Sequence, residues 1–326
     1  MDPLSDVLSL LKPKNHLSAG FDVKGDWAIQ FPDQHKSIKC GTVVRGRCWL
    51  AVENEAPVLL EEGDSFLLAA GRPFLMASDM SVPAVPATDV FAPARSGGVV
   101  TLHGGGDFLL VSSRFGLAGD HAHILLSMLP PIVHIRRRED SGVLRWSVER
   151  MMQELRAAQP GGFLVTQHLA HMILIEALRL HMNRGADGGV GWLFALTDKR
   201  LGAAIAAMHA DPARRWTLQA LAGLAGMSRT VFAERFKQAT GKSPMDYLAL
   251  WRMRLAADRL VHSGVSVASI ALGLGYESES AFGVAFKRVL GCAPRQYARH
   301  AADRLDEEDG GRPAGEAAYR SAEAAE

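Results

Sequence analysis

The sequence predicts a multidomain chain: an N-terminal β-barrel or sandwich followed by α-helices, then a C-terminal all-α domain carrying two helix-turn-helix units. Three observations predict it. Short apolar runs separated by Gly, Pro and Asp dominate the first third, helical spacing takes over afterwards, and a stretch of the last third repeats itself. The 326 residues, 48% hydrophobic and 22% charged, are enough for two packed domains and exclude a chain disordered throughout.

The strand region runs from about residue 21 to 115. Trp27–Phe31, Gly46–Val52, Ala56–Leu60 and Asp64–Ala69 have strand length, and Glu62-Gly63-Asp64 and Ala70-Gly71-Arg72-Pro73 supply turns between them. Helical periodicity follows over about 119–182, in His121–Leu129, Val143–Ala158 and Phe163–Met182, punctuated by Pro130-Pro131 and Pro160-Gly161-Gly162. The first domain is therefore placed at 1–185. A Gly-rich stretch makes 186–198 a linker, 199–300 reads as short helices, and 301–326 is an acidic tail too poor in apolar residues to fold.

The repeat carries the most information. Ser228, Phe232, Phe236, Lys237, Gly241, Pro244 and Tyr247 recur 50 residues later as Ser278, Phe282, Phe286, Lys287, Gly291, Pro294 and Tyr297. Upstream the offset is 49, pairing Ala222 with Ala271 and Gly226 with Gly275. Each copy has an apolar helix, a glycine free to take positive φ, a serine placed to cap, and a second helix whose phenylalanines four apart share one face. The units are expected at about 217–240 and 266–290. Between them, 244–262 begins with proline and contains no breaker, a connecting helix roughly 28 Å long at about 1.5 Å per residue. Successive major-groove faces of B-DNA lie about 34 Å apart, so a rod of that order suits two recognition helices on one duplex.

Charge agrees once it is divided. The net of +1 is the sum of −1 over 1–210, +7 over 211–300 and −5 over 301–326. A basic helical segment beside an acidic tail points to nucleic acid, which the total conceals.

Residues 200–300 resemble the AraC/XylS-type DNA-binding domain. Trp216–Ala222, Gly226–Phe236, Gly241–Leu248, Trp251–Met253, Ile270-Ala271, Gly275–Ser278, Ala281-Phe282, Ala285–Arg288 and Gly291–Pro294 carry the likeness. It implies base-edge contact from the two recognition helices and phosphate contact from helix ends and connector. Applied residue by residue, it marks Arg229, Thr230, Ala233 and Glu234, with Ser280, Ala281 and Val284, for base contact. Glu234 would accept from cytosine N4, and Val284 and Ala281 would meet thymine methyl groups. Arg214, Arg215, Ser228, Lys237, Ser278, Lys287, Arg288 and Arg295 are phosphate candidates, and Arg252 is either structural or phosphate-directed. Gly283-Val284 departs from the more usual polar or basic pair, which shifts hydrogen-bonded readout to the first unit.

The region from about Asp22 to Phe115 is similar to the cupin-type sensory domain fused to some AraC-type regulators, through Gly46–Leu50, Leu60–Asp64, Phe66–Leu68, Gly71–Pro73 and Leu129–Arg136. The resemblance implies that the first domain is a cupin-like effector-binding and dimerisation domain. The resemblance implies double-stranded promoter DNA as partner, a homodimer, a small-molecule effector of unidentified chemistry, and RNA polymerase as a further partner of such a regulator. Trp27, His35 and Trp49 are candidate ligand contacts, with Phe31, Phe66 and Phe74 as other wall residues; core packing competes for each aromatic.

Enzymatic cupins hold a metal through a convergent histidine and glutamate set that this sequence lacks, so no metal, cofactor or catalytic residue is expected. His121-Ala-His123 sits in a helical stretch where i and i+2 side chains diverge. His168 and His171, at i and i+3, can share a metal or be satisfied individually. Cys40, Cys48 and Cys292 form no C-x-x-C pair, the start is no secretory signal, and the longest apolar stretch, Phe163–Leu180, is interrupted by Gln167, His168, His171, Glu176 and Arg179. The expectation is a cytoplasmic protein with no membrane span. Two rivals stay open: a metal-dependent cupin enzyme with an accessory DNA-binding domain, and an effector-independent architectural DNA binder.

Overall fold

A computed structural model describes residues 2–33, 37–69, 71–91, 97–117, 129–137, 142–157, 159–183 and 192–301. His35, the 121–128 stretch and the acidic tail beyond Ala301 lie outside the described residues. The chain divides into two compact units, one of residues 1–205 with 222–243, the other of 206–221 with 244–326.

The first unit opens with a helix the strand-like reading passed over, α1 (Pro3–Leu11). Asp2 caps it by accepting from Ser5 N–H at 3.0 Å, and proline follows at the first turn. Among the described residues eleven strands follow: β1 (Lys14–Val23), β2 (Ala28–Phe31), β3 (Ser37–Arg45), β4 (Arg47–Val52), β5 (Val58–Glu61), β6 (Ser65–Leu68), β7 (Phe74–Ala77), β8 (Val85–Pro86), β9 (Gly98–Leu102), β10 (Phe108–Gly116) and β11 (Ile132–Ile135), with a short α2 (Ala87–Val90) after β8. They form a six-stranded sheet, β11-β6-β3-β10-β1-β9, and a five-stranded sheet, β5-β4-β7-β2-β8. Most neighbours are antiparallel; β1/β9 and β2/β8 are parallel.

The strands therefore begin at Lys14 rather than near Phe21. They also resume at Ile132, inside the region assigned to helices, because Ile132–Ile135 pairs with Leu68–Ser65. A four-residue strand paired with a partner some 65 residues away leaves no local period to read. The sheets enclose a core that includes Phe21, Trp27, Ile29, Leu50, Leu60, Phe66 and Phe108.

Two long helices follow, α3 (Val143–Ala157) and α4 (Gly162–Asn183), each within a residue or two of its sequence-predicted bounds. By length and composition α4 is apolar enough to cross a bilayer, which corrects the expectation that no segment qualifies. Its Leu169, Ala170, Ile173, Leu174, Ala177 and Leu178 are buried, and it packs against α3, β1, β6 and β11, which explains the apolar content as core packing. Part of the expected linker is helical as well: α5 (Trp192–Thr197) buries Trp192, Leu193 and Ala195 and runs on to α6 (Lys199–Ala210).

The remaining helices are α7 (Leu218–Leu224), α8 (Arg229–Thr240), α9 (Pro244–His262), α10 (Val267–Gly273) and α11 (Glu279–Leu290), with 294–301 also helical. In the second unit α9, α10 and α11 pack on one another around Met253, Ile270, Ala271, Phe282 and Phe286.

Candidate nucleic-acid interface

Each repeat copy builds its second helix by the same local chemistry. Ser228 caps α8 by accepting from Val231 N–H at 3.4 Å, and Ser278 caps α11 by accepting from Ala281 N–H at 3.1 Å. Gly226 (φ +62°) and Gly275 (φ +80°) make the preceding turns. Gly241 and Gly291 close the helices in the left-handed conformation, their N–H groups donating to Lys237 and Lys287 carbonyls. Phe232 and Phe236 are fully buried with ring centroids 5.5 Å apart, as are Phe282 and Phe286, also 5.5 Å apart. Burying that face turns the opposite one to solvent.

Arg229, Thr230 and Glu234 are exposed and Ala233 is half-buried; in α11 Ser280 and Ala281 are exposed and Val284 reaches 70% exposure. No ion pair is formed by Arg229 or Glu234 among the described residues, so both present unspent hydrogen-bonding groups. Lys237, Lys287 and Arg288 are exposed at the last turns of their helices.

Arg215, Arg295 and Arg252 are committed within the chain, whereas Arg214 is not ion-paired among the described residues. Arg215 pairs with Glu277 at 2.7 Å and Arg295 with Glu279 at 3.0 Å, all well exposed. Arg214 lies with its guanidinium carbon 4.3 Å from the Trp216 ring. Arg252 Nε donates to Pro212 O at 2.6 Å and Nη2 to Arg214 O at 2.8 Å, tying α9 to the 211–215 loop. Burial lowers its pKa, and the neighbouring Tyr276 counters that.

Sequence reasoning missed two buried polar features here. His209 lies 3.7 Å from the Trp251 ring, nearly parallel to it, with Nε2 2.8 Å from Tyr247 Oη. Arg254 is 9% exposed, and burial pushes its pKa down to about 10. Nothing in a helical period separates these from surface residues. Burial lowers the His209 pKa from the usual 6.5 to about 3. A group depressed on folding stabilises above its unfolded value, so stability is expected to fall as pH drops below about 6.5 toward 3. His209→Phe should flatten that part of the pH–stability curve in urea titrations followed by tryptophan fluorescence; an unchanged slope would assign the loss elsewhere.

In the first unit the aromatic candidates are packing residues. Trp27 is 5% exposed and 4.8 Å from Phe108, and Phe31 stacks on Phe74 at 4.3 Å. Trp49 does not line the interior: it alternates with Cys48 and Leu50, both fully buried in the core, and so lies on the outer face opposite Leu59 and Ala77. The Glu62-Gly63-Asp64 corner is structural, with Asp64 accepting from Arg137 N–H at 2.9 Å and lying 2.8 Å from His134 Nε2. Burial pushes the Cys40 and Cys48 thiols up to about 12, which removes them as nucleophiles. His168 and His171 do not converge on a metal, because both ring nitrogens of His171 face carbonyls, Gln167 O and Pro13 O, each at 2.7 Å.

Comparison with known proteins settles the family. A cupin family model matches residues 2–183 and a helix-turn-helix domain model matches 221–300. A Streptomyces lividans protein named as an AraC-like transcription regulator is 40% identical over 302 residues, covering 92% of this chain and 99% of its own. This chain belongs to the AraC-type transcription regulators. An HTH-type transcriptional regulator of Haemophilus influenzae is 31% identical over 91% of this AraC-type chain and 98% of its own. The DNA-binding domain of AdpA, solved in complex with a target DNA, aligns with 32% of the chain and 96% of that domain at 30% identity and a TM-score of 0.32.

Proposed function

We propose that this AraC-type regulator binds promoter DNA sequence-specifically through two recognition helices, α8 and α11, set in successive major grooves. The observation that carries this reading is the duplicated cap–glycine–phenylalanine construction, which leaves an outward helix face free in each copy. Arg229, Thr230, Ala233 and Glu234 read base edges from α8, and Ser280, Ala281 and Val284 from α11. Lys237, Lys287, Arg288 and Arg214 hold phosphates, and backbone N–H groups at Ser228 and Ser278 orient the helix starts. The cupin domain responds to a small-molecule effector and joins two copies, and the protein acts in the cytoplasm on RNA polymerase without catalysing a reaction. The domains divide at 1–185 and 199–300.

The test is affinity for the gene's own upstream region against random DNA as salt is varied. Four phosphate contacts give a log–log slope of about −3.6, and specific DNA should bind at least about a thousandfold tighter than random DNA. Glu277→Gln releases Arg215 from its carboxylate and is expected to steepen the slope by about 0.9. A salt-independent affinity, or equal affinity for both DNAs, would sink the reading; the second result is that of an architectural binder.

A further inference from the structure

A groove of about 970 Å³ lies on the outside of the sandwich, between the start of β1 and the outer face of α4. It exists because α4 buries one face on the sheets and leaves the other partly open. His168, His171, Met172, Ile175 and Arg179 follow the 3.6-residue period along that open face, and Pro13, Lys14, Asn15 and His16 form the facing wall. The volume lies in the range of small-molecule sites, and within the sandwich Trp27 packs on Phe108 and Phe31 on Phe74.

The lining sorts by chemistry. Pro13, Met172 and Ile175 are apolar. Lys14 and Arg179 bring positive charge to the rim, and Glu176, the acidic residue of the lining, is already tied to Arg179 at 2.8 Å. His171 turns both ring nitrogens to carbonyls of the wall, Gln167 O and Pro13 O, each at 2.7 Å, and so braces α4 against the start of β1. Asn15 is 6% exposed, and its Nδ2 donor has no partner among the described residues. An apolar floor with an excess of cations and an unspent amide donor suits a carboxylate on an apolar body. A polyphosphate would find too few cations here, and a metal ion would find the His171 nitrogens already occupied.

We infer that the groove between β1 and α4 binds an apolar organic acid, and that this acid is the effector. The inference rests on the reading of the chain as an effector-responsive regulator, and it locates the ligand beside the cupin sandwich rather than within it.

Calorimetric titration of the full chain with hexanoate and with benzoate, each against its neutral primary amide, tests it. The acids should bind at least tenfold more tightly than the amides. Ile175→Glu, which sets a carboxylate on the half-exposed floor, should weaken both acids at least tenfold. Arg179→Gln should narrow the acid–amide gap several-fold. No heat from either acid, equal affinity for acid and amide, or full acid binding in both variants overturns the inference. So does a molecular mass in light scattering that Ile175→Glu halves without any acid binding, which would make the groove an interface between two copies. Anisotropy titration of the same wild-type sample on upstream DNA separates the two readings. Specific DNA binding without acid binding removes the groove alone, and absence of specific DNA binding removes the regulator.

Discussion

Gly275→Ala is expected to destabilise the second helix-turn-helix unit by roughly 2–5 kcal/mol, whereas the matching Gly226→Ala costs about 1–2 kcal/mol. The two glycines are equivalent in the repeat and both take positive φ, so each pays the left-handed penalty of an L side chain. They differ in what a new methyl group meets. A Cβ at Gly226 finds nothing within 4 Å, while one at Gly275 falls 2.1 Å from Ala213 O. That carbonyl cannot retreat easily, because Arg252 holds both sides of it through Pro212 O and Arg214 O. The overlap must then be relieved by opening the turn before α11. Urea unfolding followed through Trp216 and Trp251, with DNA affinity measured in parallel, checks the difference. Equal losses for the two variants would show that the 211–215 loop yields and that Arg252 does not pin it.

That contrast also marks how far the sequence could be read. Turn glycines, serine caps and phenylalanines four apart are local rules, and the observed α8, α9, α10 and α11 fall within a residue of the expected bounds. Asp2-Pro3 is a local helix-start signal of the same kind, and α1 was legible from it. What the repeat cannot show is where its copies differ, since the Ala213 carbonyl comes from outside the repeated segment. Burial behaves likewise: Arg252, Arg254 and His209 look like surface residues until the packing of α9 is known. In the cupin domain, alternation along β4 placed Cys48 and Leu50 together, and by the same period it sends Trp49 outward, so its aromatic character misled where its position did not. The β11 strand and the parallel edge pairs are set by partners far along the chain.

The second large effect concerns the two recognition faces, which are unlike in chemistry although alike in construction. Arg229, Thr230 and Glu234 offer a donor fork, a hydroxyl and a carboxylate; Ser280, Ala281 and Val284 offer one hydroxyl and apolar surface. A bidentate arginine or a carboxylate at a base edge discriminates by about 1–3 kcal/mol, so Arg229→Ala and Glu234→Ala should each weaken specific binding roughly 5–150-fold and relax the requirement at one base pair. Random-DNA affinity should change little for Glu234→Ala, because that side chain makes no favourable phosphate contact. On α11 the 70%-exposed Val284 has no hydrogen bond to lose, and the contribution proposed for it is contact with a thymine methyl. Replacing thymine by uracil within the second half of the operator should therefore weaken wild-type binding several-fold while leaving Val284→Ser almost unaffected. Binding titrations across a set of single-base and uracil-substituted operators measure both effects. If Val284→Ser and wild type respond equally to the missing methyl, or if Arg229→Ala weakens specific and random DNA by the same factor, base readout does not reside on these helix faces.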